Sequence, residues 1–161
     1  DPSNGEIKML GDLTEVCGEK GMNAVSQGKS HVNFVESDGK LYFSTHIGYY
    51  SIIDGMEKMG VPPSGLKPYP GGHLLAYDMA TGKFEDFGIA PHSEGVLTMN
   101  MDTQRGRIYA FTWPTGYFFR YDLASGQYVF NWGTKGLTKG TYQLRIDLGD
   151  GIEHTVLASL K

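Results

Sequence analysis

Histidine is the residue type of this sequence best suited to holding a metal ion or transferring a proton near neutral pH. The chain has five histidines in separate segments, and four of them, His31, His46, His73 and His92, lie within its first hundred residues. We predict a divalent metal site formed by His31, His46 and His92. A histidine at the end of a strand more commonly caps backbone groups or packs against neighbours, and that interpretation stays open for each of them.

Aromatic residues near these histidines indicate a second kind of chemistry. Tyr49 and Tyr50 follow His46 in "THIGYY", Tyr69 lies just before "GGHLL", and Trp113 ends the segment "IYAFTW". Aromatic rings stack on flat, partly apolar ligands such as sugar rings. We therefore predict a saccharide or another extended polar ligand, bound by His46, Tyr49, Tyr50, Tyr69 and Trp113.

Motifs for other chemistry are absent from the sequence. It has no phosphate-binding P-loop, no dinucleotide-binding glycine motif, no HExxH and no GxSxG. A pair of carboxylates for glycoside hydrolysis cannot be chosen, because Glu57 and Glu94 are the acidic residues nearest the histidines and loop acids are usually solvated. Catalytic residues are therefore not assigned, and the sequence leaves open whether the protein is an enzyme.

Composition limits the class of protein. The 161 residues carry a net charge of −4, and no stripe of basic residues predicts nucleic-acid binding. No apolar run of about 18 residues predicts a membrane-spanning helix. The lone cysteine, Cys17, excludes an internal disulfide and is expected to be a small buried residue. Twenty-three glycines and ten tyrosines favour short strands joined by tight turns, which is an all-β chain.

An internal repeat specifies how the strands are arranged. "DPSNGEIKMLG", "DMATGKFEDFG" and "DLASGQYVFNW" share an Asp followed four residues later by Gly. In this turn, Asp caps backbone amides and Gly supplies a positive φ. Upstream, "SDGKLYFSTH" matches "QRGRIYAFTW" at an offset of 67 residues, so His46 is equivalent to Trp113. Each half therefore predicts a four-stranded antiparallel unit.

This repeated unit resembles a blade of a β-propeller of the broad kelch-like and quinoprotein-like kind. The resemblance covers residues 1 to about 130 and implies complete blades over 30–88 and 96–132, with residues 1–13 as the outer strand of another. About two blades cannot close a ring. The resemblance therefore implies further propeller blades or a homo-oligomer as partners, and a self-assembling structural module is one interpretation of the chain.

The last thirty residues have a different pattern. In "GTYQLRIDLGDGIEHTVLASLK", apolar residues alternate on both sides of Gly149-Asp150-Gly151, which predicts a β-hairpin. This sequence resembles the closing strands of immunoglobulin-like modules of bacterial cell-surface proteins. We thus predict two parts, 1–130 for the blades and 131–161 for the hairpin.

The propeller arrangement implies that His31, His46, His73 and His92 gather toward one face, at the rim of the channel. A loop of more than twenty residues after His46 lies on the same face, and loops of that length are usually functional. Within it, "SIIDGMEKM" is expected to form one or two helical turns. A covering insertion without a ligand is the alternative.

These features lead to one main functional expectation and two alternatives. The main expectation is an extracellular or periplasmic, carbohydrate-binding module of bacterial origin. "DPSNGEIKML" has none of the regions of a signal peptide, which is expected to have been removed. The first alternative is an enzyme similar to oligogalacturonate lyases, in which histidines hold a metal against a uronate carboxylate while a His or Tyr abstracts a proton. The second is the purely structural module.

Overall fold

The computed structural model describes residues 3–48, 51–58, 62–130, 137–147 and 153–160. The chain divides into two compact units, Asp1–Phe130 and Asn131–Lys161. Strands predominate, and helix is limited in the described residues to one turn, α1, and a short 3-10 turn at Pro91–Ser93. The prediction of an all-β chain is confirmed.

The first unit contains two four-stranded antiparallel sheets. Sheet 1 has the order β1-β2-β5-β6 and sheet 2 the order β10-β9-β8-β7, so each sheet follows the chain from one strand to its neighbour. The strands of sheet 1 are β1 Val35–Ser37, β2 Lys40–Ser44, β5 His73–Asp78 and β6 Phe84–Ile89. Those of sheet 2 are β7 Gly95–Asp102, β8 Arg107–Trp113, β9 Phe118–Asp122 and β10 Gln127–Phe130.

The Asp-Gly repeat forms the turns that the sequence predicts. Asp78 Oδ1 accepts hydrogen bonds from the backbone amides of Ala80 and Thr81, at 2.9 and 2.8 Å. Asp122 Oδ1 accepts equivalent bonds from the two residues at the same spacing after it. Gly82 and Gly126 then have φ values of 70° and 65°, which glycine adopts without a steric cost. The turn residues therefore set the ends of the outer strands.

Sheet 1 is covered on both faces. On one face, Tyr42 stacks on Phe87, whose ring centroid lies 5.4 Å from that of Tyr121 in sheet 2. On the other face, Phe43 and Phe84 are in contact, with 6.4 Å between their ring centroids. Sheets 1 and 2 consequently share one hydrophobic core.

The N-terminal segment covers the Phe84 face of sheet 1. Its helix α1, Leu13–Val16, begins at Asp12, whose Oδ1 accepts a hydrogen bond from the Thr14 amide at 3.0 Å. A Cβ atom at Gly11 would lie 2.8 Å from the Phe84 ring, so the backbone of this segment passes close to the sheet. The expected outer strand over residues 1–13 is wrong for the described residues 3–13, which form a turn, a segment without strand pairing and the start of α1. None of the described strands pairs with this segment, and a strand needs such backbone partners.

The long loop after His46 contains a hairpin and not the expected helical turns. Strands β3 Ser51–Ile53 and β4 Met56–Lys58 pair with each other across Asp54 and Gly55. Both turn residues have positive φ, 52° and 75°. Asp-Gly is a strong signal for a two-residue hairpin turn, and it outweighs the helical spacing of the apolar residues around it.

The second unit is a hairpin, as the sequence predicts. Strands β11 Gly140–Asp147 and β12 Glu153–Leu160 pair antiparallel, with Gly140 opposite Leu160 and Asp147 opposite Glu153. In the part of the chain that the structure describes, we find no helix with the length and apolar character needed to cross a membrane.

Candidate functional site

His46 contacts two other aromatic rings. Its ring centroid is 5.0 Å from that of His31, which meets it edge-on at 75°, and 5.4 Å from that of Trp113, which is tilted by 45°. We use the name ring stack for this cluster of His31, His46 and Trp113. His46 is only 4% exposed, whereas His31 is exposed and Trp113 is half-buried. The sequence predicts His46 on an open rim, whereas the structure buries it against two rings that reach solvent.

Backbone contacts from three segments hold His46 in place. Its amide donates to the Lys29 carbonyl at 2.7 Å, and its carbonyl accepts from the Lys29 amide at 3.3 Å. The neighbouring Thr45 carbonyl accepts from the Val96 amide at the start of β7. A Cβ atom at Gly95 would lie 2.6 Å from the His46 ring, so a residue without a side chain is needed there. The ring stack therefore lies where β2, β7 and the segment before β1 meet.

A buried carboxylate fixes the strand end that carries Trp113. Glu94 is 6% exposed and accepts hydrogen bonds from the Thr112 hydroxyl and from the Thr115 amide. The same hydroxyl accepts a bond from the Tyr117 amide at 3.0 Å. Glu94 therefore positions the loop next to Trp113 and is not the solvated loop acid that the sequence analysis considered.

The other predicted site residues have different surroundings or lie outside the described residues. His92 is exposed, and its ring stacks on Tyr117 with 4.2 Å between centroids. Tyr69 is buried, and Tyr49 and Tyr50 lie outside the residues that the structure describes. The structure thus brings His31, His46 and Trp113 together, and places His92 against a different aromatic ring.

A buried polar network runs through the interior beside the ring stack, with Gln27 at its centre. Gln27 Oε1 accepts hydrogen bonds from the hydroxyl groups of Tyr69 and Thr45, both at 2.7 Å. Gln27 Nε2 donates to both carboxylate oxygens of Glu19 at 3.1 Å and to the Gly71 carbonyl at 2.8 Å. Burial raises the pKa of Tyr69, which keeps its hydroxyl protonated as a donor.

His73 extends this network between two carboxylates. Its Nε2 lies 3.1 Å from Glu19 Oε1, and its Nδ1 lies 2.9 and 3.0 Å from the two oxygens of Asp86. Burial by itself lowers the pKa of His73, but the hydrogen bonds and charges of Asp86 and Glu19 outweigh it and raise that pKa overall. Burial likewise favours the neutral form of Asp86, yet the bond to His73 lowers the pKa of this carboxyl.

Cys17 lies next to this group. Its sulfur and one ligand atom each of His73 and Asp86 all lie within 4.8 Å of one another. Burial, together with the negative charges of Asp86 and Glu19, raises the pKa of the Cys17 thiol to about 12. Within the described ranges, this is the group of three side chains whose spacing suits a metal ion. None of the three histidines predicted as ligands belongs to it.

Sequence reasoning assigned no role to Glu19, Gln27 and Asp86, and treated Cys17 as a packing residue. These residues come from distant segments, so no motif spacing joins them. One signal was present. Asp86 shares the strand parity of Phe84, which packs on the covered face of sheet 1, and a charge pointing to a covered face requires a partner.

No protein-family model and no curated protein matches this chain. The ring stack presents an exposed imidazole and part of an indole ring. The network around His73 presents a thiol, an imidazole and carboxylates in the interior.

The charge on His73 predicts a pH-dependent stability for the metal-free chain. Because the pKa of His73 is raised in the folded chain, its stabilisation of the fold is complete below about pH 6.5. That stabilisation is lost as the pH rises through the pKa of the folded state. Because the pKa of Asp86 is lowered in the folded chain, the stabilisation by Asp86 is present above about pH 3.9. It is lost as the pH falls through the pKa of the folded state. We expect the free energy of unfolding of the wild type to exceed that of Asp86→Asn most at pH 5–6, and less at pH 8.

Urea unfolding in the presence of a chelator, at pH 5, 6, 7 and 8, measures this difference. Asp102→Asn is the matched control, because Asp102 pairs with Arg105 at 2.6 Å and an arginine stays charged throughout this range. Its effect should not change between pH 5 and 8. If the difference in unfolding free energy between wild type and Asp86→Asn is also the same from pH 5 to pH 8, the result contradicts a charged His73.

Proposed function

We propose that this protein binds a saccharide through the ring stack of His31, His46 and Trp113. The observation that supports the proposal is the exposure gradient across the stack, from the buried His46 to the exposed His31 and the half-buried Trp113. An indole face suits the apolar face of a sugar ring, and an imidazole can both donate and accept hydrogen bonds to hydroxyl groups. For such a module we propose an extracellular or periplasmic location.

Contacts with buried residues hold the exposed rings in fixed orientations, which suits saccharide binding. The buried His46 contacts both other rings, and the Glu94 bonds hold the strand end of Trp113. A ligand would then meet rings whose orientations are already set, which lowers the entropic cost of binding. The lyase interpretation needs histidines around a common ion, and nothing in the described positions of His31, His46 and His92 favours it over binding alone.

Replacing Trp113 with Ala should weaken saccharide binding about tenfold, or about 1.4 kcal/mol, because a stacking face is lost. Isothermal titration calorimetry with oligogalacturonates and with neutral cello-oligosaccharides measures the affinity and separates charged from neutral ligands. Phe34→Ala is the matched control, since Phe34 is an aromatic residue that is 61% exposed and contacts Phe43.

The control should bind as the wild type does. Equal affinities for Trp113→Ala and wild type would contradict the proposal. So would the absence of binding to both classes of oligosaccharide by a wild-type chain that unfolds cooperatively. His46→Ala is less informative, because removing a buried ring also lowers stability.

We also propose that the two sheets are neighbouring blades of a β-propeller. In sheet 1, Ser44 and Leu74 are fully buried on the side that faces sheet 2. Their repeat equivalents in sheet 2, Phe111 and Phe118, are 43% and 49% exposed and stack on each other at 4.7 Å. The face that sheet 1 uses to pack against the next repeat is therefore open in sheet 2.

In the isolated chain, we expect a second copy to cover the open face of sheet 2. Sedimentation velocity at micromolar concentration should detect a homo-oligomer, and Phe111→Lys with Phe118→Lys should shift it toward the monomer, because a charge on a covered face is unfavourable. Lys83→Glu, a change on an exposed turn of sheet 1, is the control for altered charge. A wild-type chain that sediments as a monomer at all concentrations would contradict the proposal.

A further inference from the structure

We propose that Cys17, His73 and Asp86 form a zinc-binding site beneath the N-terminal segment. The proposal does not rest on saccharide binding, because none of the three residues belongs to the ring stack. It rests on three donor atoms of different chemistry that approach one another, two from buried residues and one from Asp86 at the surface, and on further side chains that orient them.

The spacing of the donor atoms suits a four-coordinate ion. In a tetrahedral zinc site, bonds of about 2.0–2.3 Å place the ligand atoms roughly 3.3–3.8 Å apart. The donors of Cys17, His73 and Asp86 all lie within 4.8 Å of one another. His73 Nδ1 is 2.9 Å from one Asp86 oxygen. Shifts of about an ångström would let an ion bind between these donor atoms.

The two nitrogens of His73 have separate tasks in this site. Nδ1 faces Asp86 and would bind the ion, while Nε2 lies 3.1 Å from Glu19 Oε1 and would donate its proton there. A metal-bound histidine characteristically donates its other N–H group to a carboxylate. Gln27 Nε2 in turn bonds both oxygens of Glu19, and so fixes the carboxylate that orients His73.

The donor set favours zinc over the harder cations. Magnesium and calcium select oxygen ligands, whereas a thiolate with an imidazole and a carboxylate matches the ligands that zinc takes in proteins. The Asp86 side chain is 29% exposed while that of His73 is 6% exposed, so the site has one side open to solvent. Three protein ligands leave the fourth position to a water molecule.

Charge and protons balance in the binding step. Zinc displaces the proton of the Cys17 thiol and the Nδ1 proton of His73, and both protons pass to solvent. The bound site then holds Zn²⁺, the Cys17 thiolate, the Asp86 carboxylate and a neutral His73, with the Glu19 carboxylate next to it. The negative charges of the carboxylates around His73 thus favour binding of a divalent cation.

Cobalt and zinc titrations of the full chain, carried out without a histidine tag and after treatment with a chelator, test the site. One equivalent of Co²⁺ should give tetrahedral d–d absorption and a thiolate-to-cobalt band in the near ultraviolet. Cys17→Ser should lose that band and weaken zinc binding by more than about 100-fold. Glu19→Gln, which keeps all three ligands, should weaken it by about 10–100-fold, the range found for outer-layer partners.

Asp86→Asn is a second ligand variant whose side chain is partly exposed, so it serves if Cys17→Ser does not fold. Asp102→Asn removes a carboxylate that is 24% exposed and paired to Arg105, away from the three proposed ligands, and should bind zinc as the wild type does. The site is overturned if the wild type binds no zinc, or if the near-ultraviolet band persists in Cys17→Ser. It is also overturned if Asp86→Asn and Glu19→Gln bind zinc as tightly as Asp102→Asn.

Discussion

The placement of His73 between two carboxylates is the interaction on which the first unit depends. Burying ionisable groups is costly unless each is paired and hydrogen-bonded, and removing one partner of a buried pair such as His73 and Glu19 typically costs about 3–5 kcal/mol. Here one imidazole joins Glu19 of the N-terminal segment to Asp86 of β6. A segment that forms no strand with sheet 1 is therefore attached to it through side chains.

The same network connects the two proposed sites. The Thr45 hydroxyl donates to Gln27 and accepts a bond from the His73 amide, and Thr45 directly precedes His46 in the chain. The ring stack and the cluster around His73 are thus neighbours built on one set of polar contacts.

Much of the fold could be predicted from the sequence, and little of the sites. Turn residues such as Asp78 and Gly82 act locally, so the antiparallel strands follow from patterns within about ten residues. After His46, the spacing of the apolar residues around Asp54-Gly55 predicts a helix, whereas these residues form a hairpin. Glu19, His73 and Asp86 come from separate segments that are in contact only in the folded chain. No local sequence pattern therefore predicts their contact. The proximity of His46 to Trp113 was suggested by the repeat, but the burial of His46 was not.

Nuclear magnetic resonance of the nitrogen-15-labelled His73 ring tests the central claim, that this imidazole is held between two carboxylates and can exchange one proton for a metal ion. In the chelated chain at pH 6, we predict that both ring nitrogens carry protons. At pH 7 with one equivalent of zinc, Nδ1 should lose its proton to the metal while Nε2 retains the proton that it donates to Glu19. A His73 ring that is neutral at pH 6 and unchanged by zinc would contradict the account.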